Sequence, residues 1–141
     1  MKFENVVTIN RTPAEVFAYL AQFENIPEWN YAISETRKIT TGPVAVGTRY
    51  RQIRTLPAPS EEEFEVVEFD PDRRLAIDGG LGPFRGRVTY DLDGVDGATT
   101  LTNSMDLQAS GPLSLVANLA ARRVREAVAA NLGVLKELLE R

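Results

Sequence analysis

Between about residue 34 and residue 109 the chain alternates short β-branched runs with turn-forming clusters: "TTGPVAVG", "TLPAPS", "DPDRR", "GGLGP" and "DGVDG". The clusters fall at strand-length spacing, which predicts about six consecutive strands in an antiparallel meander. From the "GPL" at 111–113 the pattern changes to helical periodicity and keeps it to Arg141, about 30 residues or about 45 Å. A sheet with one apolar face needs a cover, and this final segment is the only element of suitable size. Few architectures satisfy that order of elements.

The strand parities give the sheet two different faces. Tyr50, Gln52 and Arg54 alternate with Arg49, Arg51 and Ile53, and Phe64 and Val66 alternate with Glu63 and Glu65. Val88, Tyr90 and Leu92 alternate with Arg87, Thr89 and Asp91, while Leu101, Asn103, Met105 and Leu107 alternate with Thr100, Thr102, Ser104 and Asp106. One face is apolar and aromatic with a few polar intrusions, and the other is charged. On a helical wheel the last segment gathers Leu113, Val116, Ala117, Ala120, Val124, Ala127, Val128, Asn131, Leu135 and Leu138 on one side, opposite Glu126, Gly133, Lys136 and Glu140. Alanines fill little volume against a face carrying Phe and Tyr, and Asn131 lies near the stripe's centre. Space is therefore expected between helix and sheet.

The N-terminal part supplies the remaining elements. "FENVVTIN" reads as a first strand. Thr12 as N-cap, Pro13 in the first helical position and Glu15 three residues after the cap predict a capping box, followed by the stripe Val16, Phe17, Leu20 and Phe23. Pro27 predicts a bend into a second short helix with Asn25 as its cap, and Trp29 is expected to anchor that helix on the sheet. The layout is β-α-α-β6-α, a single α+β domain over residues 1–141.

Composition excludes several chemistries. The chain has no Cys and no His, so disulfides, thiolate sites and the usual zinc, haem and triad ligands are lacking; no metal and no cofactor is expected. A net charge of −4 without a basic stripe argues against a nucleic-acid partner. No apolar run is long enough for a signal peptide or an integral membrane segment, so a cytoplasmic location is expected.

Taken in order, "TPAEVFAYLAQFENIPEW", "VAVGTRY", "EFDPDRRLAI", "DGATTLTNSMD" and "NLGVLKELLE" resemble the START-like, helix-grip (SRPBCC) superfamily over essentially the whole chain. Within it they resemble the bacterial polyketide cyclase/dehydrase-like branch, which also relates to plant pathogenesis-related pollen allergens. The resemblance implies a curved antiparallel sheet of about seven strands gripping the C-terminal helix, around a cavity for apolar or amphipathic molecules such as lipids, sterols, polyketides or quinones. It transfers no catalytic residue, because no catalytic motif is present to match.

The candidate ligand-binding residues are Tyr50, Gln52, Arg54, Phe64, Val66, Val88, Tyr90, Asn103, Met105, Val124, Val128 and Asn131. A few polar groups converging in an apolar cavity are the usual make-up of a small-molecule site. Glu35 and Arg37 read as a solvated edge pair, the "ARRVRE" run at 121–126 as a solvated helix face, and "DGGLGPF" at 78–84 as a mobile turn at the cavity mouth. Leu115 and Leu119 suit a portal, packing under loops or a dimer contact, which leaves monomer and homodimer both open. Two functions fit: binding a hydrophobic small molecule for carriage or sensing, or polyketide cyclisation and dehydration, with Tyr or a carboxylate moving protons and Arg54 stabilising an enolate. A module that binds a protein partner through a sheet edge is a third.

Overall fold

Seven strands form one antiparallel sheet in the order β1-β7-β6-β5-β4-β3-β2. They are β1 (Lys2–Ile9), β2 (Ile33–Lys38), β3 (Arg49–Arg54), β4 (Ser60–Asp70), β5 (Arg74–Leu81), β6 (Phe84–Val95) and β7 (Ala98–Ala109). Helix α1 (Pro13–Ala21), a 3-10 turn (Phe23–Asn25) and α2 (Ile26–Trp29) connect β1 to β2, and α3 (Ala117–Leu139) ends the chain. The computed structural model describes residues 1–109 and 117–141. Leu113, Leu115 and Val116, assigned above to the last helix, lie outside the described residues.

The parities translate directly into burial. Tyr50, Phe64, Val66, Val88, Leu92, Leu101 and Leu107 are buried on one face, together with Val16, Phe17, Leu20, Phe23 and Trp29 from the connecting helices and Leu132 and Leu135 from α3. Strand β2 departs from simple alternation because a register shift between Ile33 and Glu35 breaks its pairing with β3. A bulge of this kind resets parity. Thr36 therefore points inward, while Glu35 and Arg37 are both exposed.

Strands β4 to β7 approach one another most closely around Gly79 and Gly86, which are direct cross-strand partners. A Cβ on Gly86 would lie 2.0 Å from the Asp106 carbonyl oxygen, and one on Gly79 would lie 2.4 Å from that of Glu63. Only glycine permits strands to fold over one another so closely. The curvature wraps the apolar face around α3.

Two N-terminal expectations are corrected. Helix α1 ends at Gln22, whose ψ of 83° leaves the helical region, so the bend precedes Pro27. Pro27 occupies the first turn of α2, where its missing N–H costs no hydrogen bond. Asn25 makes no capping hydrogen bond there and instead donates from Nδ2 to the Tyr19 carbonyl at 3.2 Å. Thr12 caps α1 by accepting from the Glu15 N–H at 3.3 Å, but the box closes through its hydroxyl, which donates to Glu15 Oε1 at 3.0 Å.

Helix α3 is held tightly at its C-terminal end. Lys136 Nζ donates to the Thr8 carbonyl at 2.6 Å, Glu140 accepts from the Asn10 N–H at 2.8 Å, and Arg11 donates to the Arg141 carbonyl at 3.2 Å. Leu132 and Leu135 are buried in the same half, whereas Ala120, Val124, Ala127 and Val128, nearer the start, are only half-buried.

Candidate functional site: a cleft between sheet and helix

The half-buried stretch of α3 forms one wall of a cleft of about 460 Å³, which Tyr31, Leu56, Leu81, Phe84 and Met105 close from the sheet and its loops. At its deep end the cleft meets an inner chamber of about 50 Å³ lined by Trp29, Phe64 and Tyr90; the two spaces share Asn30, Leu81, Met105, Val128 and Asn131 as walls. A larger concavity of about 1040 Å³ lies on the opposite face of the sheet, among Arg49, Arg51, Glu63, Glu65, Asp78 and Arg85. Most of its lining is charged or polar, with Phe64, Pro83, Phe84 and Ala109 adding a smaller apolar part, so an apolar molecule gains less by binding there. The cleft against α3 is therefore the candidate site.

A polar spine runs from β2 across β3 to β4 beside the mouth. Thr36 donates to Gln52 Oε1 at 3.4 Å, and Gln52 Nε2 donates to Glu62 Oε1 at 2.6 Å. Arg54 reaches both oxygens of Glu62, with Nε 3.1 Å from each and one terminal nitrogen 2.9 Å from Oε1. The Gly82 N–H completes the set, donating to Glu62 Oε2 at 2.8 Å. Gly82 has a φ of 62° and precedes Pro83, the sequence that a two-residue type II′ hairpin turn requires. "DGGLGPF" is thus mostly strand, since β5 runs to Leu81 and β6 starts at Phe84, and the tip of the hairpin is tied to a buried ion pair.

The deep chamber is polar in a different way. Asn103 is fully buried, and neither its Nδ2 nor its Oδ1 has a partner among the described residues; the same is true of Asn131 Oδ1. Tyr90 also lines the chamber, and burial holds its phenol well above the usual tyrosine range. Tyr50 sits behind the chamber wall, its ring stacked on Phe64 at 5.1 Å and tilted against Phe23 at 4.8 Å. Its phenol is pushed up to about 12, chiefly by burial and then by the charge of Glu24.

Both phenols therefore stay protonated at neutral pH. An unfolded tyrosine ionises near pH 10, so the stability these two groups contribute is fully present below pH 10 and is lost as pH rises towards the folded values. Urea midpoints followed by circular dichroism are expected to hold up to about pH 10 and to fall between pH 10 and about 12. A midpoint that is flat across that interval contradicts the assignment.

The structure brings most of the candidate residues together. Gln52, Phe64, Val88, Tyr90, Asn103, Met105, Val128 and Asn131 line the inner chamber, and Arg54 and Val124 line the cleft. Tyr50 and Val66 are core residues outside both linings. Arg54 is committed to Glu62, so its charge is not free for an enolate or a headgroup. The "ARRVRE" run divides: Arg122 pairs with Glu126 at 3.3 Å in solvent, while Arg123 lines the cleft. Leu119 is 76% exposed. Glu62 escaped the sequence reading although it shares parity with Phe64 and Val66. Tyr31, Leu56 and Pro57 come from loops that carry no periodic signal.

A curved antiparallel sheet closed on one long helix, with a cleft held between them, is the helix-grip architecture of START-like proteins. Residues 1–140 match the family described as polyketide cyclase / dehydrase and lipid transport, and the chain belongs to that family. Among solved structures it resembles a Thermus thermophilus protein with a TM-score of 0.82 at 17% identity, covering 99% of this chain and 97% of that one. It is similar to the Zhui aromatase/cyclase from a Streptomyces species, with a TM-score of 0.80 at 15% identity over 100% and 94% of the two chains. A START superfamily protein from Mycobacterium smegmatis matches with a TM-score of 0.72 at 12% identity over 95% and 98%. No curated protein matches the sequence. Among the described residues no helix is long and apolar enough to cross a membrane.

Proposed function

We propose that the protein binds a hydrophobic or amphipathic small molecule, of the lipid, polyketide or quinone kind, in the cleft between sheet and α3, for carriage or sensing. The observation that carries this reading is the continuity of an apolar-walled cleft of about 460 Å³ with a chamber that ends on buried amides. Pockets of that volume bury most of a small ligand's surface, and a few polar groups set its orientation. The family's description covers both cyclisation and transport. The side chains in the cleft favour binding. No Asp or Glu lines the cleft or the chamber among the described residues, and the Tyr90 phenol stays protonated, so neither space offers a ready carboxylate or phenolate base near neutral pH.

Trp29 is the only tryptophan in the chain and lines the inner chamber, which makes it a built-in reporter. Titration with the neutral dye N-phenyl-1-naphthylamine is expected to change its emission saturably. Val128→Trp places a large ring where the two spaces meet, and it is expected to weaken the dye at least tenfold while circular dichroism stays unchanged. Mass spectrometry of organic extracts of the purified protein then identifies what co-purifies. If the dye binds Val128→Trp as well as it binds the wild type, the cleft is not the binding site.

A further inference from the structure

Four buried side-chain polar atoms lack a partner among the described residues; Tyr50 Oη lies behind the chamber wall, and the other three belong to residues that line the chamber. Buried polar atoms in folded proteins are nearly always hydrogen-bonded, and a buried amide left without a partner is destabilising. Here Asn103 Nδ2, Asn103 Oδ1 and Asn131 Oδ1 have no partner among the described residues, and both asparagines line the same chamber. Asn103 is on β7, paired directly with Tyr90 of β6, and Asn131 is on α3, so two separate layers of the fold each contribute an amide to the same chamber. An apolar residue at either position would pack with no such cost.

Resting on the reading that the cleft binds an amphipathic molecule, we propose that Asn103 and Asn131 form an anchor for one neutral hydroxyl group, carried on the leading edge of an otherwise apolar alcohol or phenol that binds polar end first. The chemistry follows from the donor and acceptor count. Asn103 offers an NH2 with two donors and one acceptor oxygen, and Asn131 adds an acceptor oxygen. A hydroxyl that accepts from Asn103 Nδ2 and donates to Asn131 Oδ1 engages both side chains at once and leaves one acceptor, Asn103 Oδ1, of the three orphaned atoms. A carboxylate only accepts, and it would set negative charge against two amide oxygens in a chamber walled by Trp29, Phe64 and Val88. The two cations lining the cleft, Arg54 and Arg123, are at its outer part and not in the chamber, and Arg54 is already paired. About 50 Å³ exceeds the roughly 10–15 Å³ that a single water needs, enough for a hydroxyl and the carbon that bears it, while the body of the molecule occupies the cleft outside.

Three probes of equal ring size test the anchor by isothermal calorimetry: 2-naphthol, naphthalene and 2-naphthoate. The wild type is expected to bind naphthol about tenfold more tightly than naphthalene, and naphthoate no more tightly than naphthalene. In Asn103→Leu the naphthol preference is expected to fall to about onefold, while naphthalene affinity is kept and the melting temperature of the unliganded protein rises, because two orphaned polar atoms are gone. The comparison within the wild type stands even where a variant folds poorly, and Asn131→Leu is expected to reduce the preference in the same direction. Equal binding of naphthol and naphthalene by the wild type overturns the anchor and leaves the cleft as a binding site. An unchanged preference in Asn103→Leu, or tighter binding of naphthoate than of naphthol, also overturns it. If none of the three binds, the proposed function fails and the anchor fails with it.

Discussion

Glu62→Gln is expected to lower the free energy of unfolding by about 3–5 kcal/mol, the usual effect of removing one member of a buried ion pair. The Arg54 and Glu62 side chains are only 10% and 6% exposed, so water does little to screen them. The carboxylate accepts from Arg54, Gln52 and the Gly82 N–H at once. A glutamine retains one acceptor oxygen and presents an NH2 to groups that are all donors. The guanidinium is then left buried and unneutralised. The matched control is the double variant Arg54→Met/Glu62→Leu, which removes both charges and is expected to recover most of the loss. Urea denaturation at constant m-value measures both, and hydrogen exchange at the Gly82 amide reports whether the hairpin tip has come free. A loss below about 1 kcal/mol, typical of a solvated surface pair, shows that the pair is not desolvated.

The Gly86→Ala variant is expected to cost on the order of 4 kcal/mol, at the upper end of single-residue effects. The added methyl would lie 2.0 Å from the Asp106 carbonyl oxygen and 2.9 Å from the Leu107 Cα, and both are backbone atoms of a central strand that cannot rotate away. Relief requires β6 and β7 to separate or flatten, which opens the grip on α3. The same change at Gly133, where nothing lies within 4 Å of the new Cβ, is expected to have the opposite sign and to stabilise α3 by about 0.5–1 kcal/mol through reduced backbone entropy in the unfolded chain. Thermal and urea unfolding of the two alanine variants checks the contrast, and a Gly86→Ala protein as stable as the wild type would show that the strands do not approach so closely there.

Much of the fold and part of the site were legible because alternation is a strong signal on long, regular strands. Gln52, Tyr90 and Asn103 could be placed on the inner face from parity alone, and Asn131 from the helical wheel. The same rule places Glu62 inside with Phe64 and Val66, but a run of three glutamates disguises the one that is buried. Thr36 was hidden by the register shift after Ile33, which no period-2 pattern reveals. The outer wall of the cleft depends on Tyr31, Leu56 and Pro57, loop residues placed by long-range packing and not by local periodicity. Pro27 misled because a proline opens a helix as readily as it bends one. A wheel gives angle and not depth. It could mark the alanines of α3 as inward-facing, but it could not say that the space beside them narrows to a chamber ending on two amides.

Among the described residues, the anchoring of α3 is uneven along its length. Its far end is fixed by Lys136, Glu140 and Arg141 to the chain around Thr8, Asn10 and Arg11, and Leu132 and Leu135 are sunk into the core beside that fixture. The cleft lies along the rest of the helix, where the described ties to β1 are fewer, one of them the bond from Asn5 Nδ2 to the Arg125 carbonyl at 3.2 Å. Asn131 stands beside Leu132 in the fixed half, so the floor of the chamber is built on the anchored part of the helix and the wall of the mouth on the part with fewer ties.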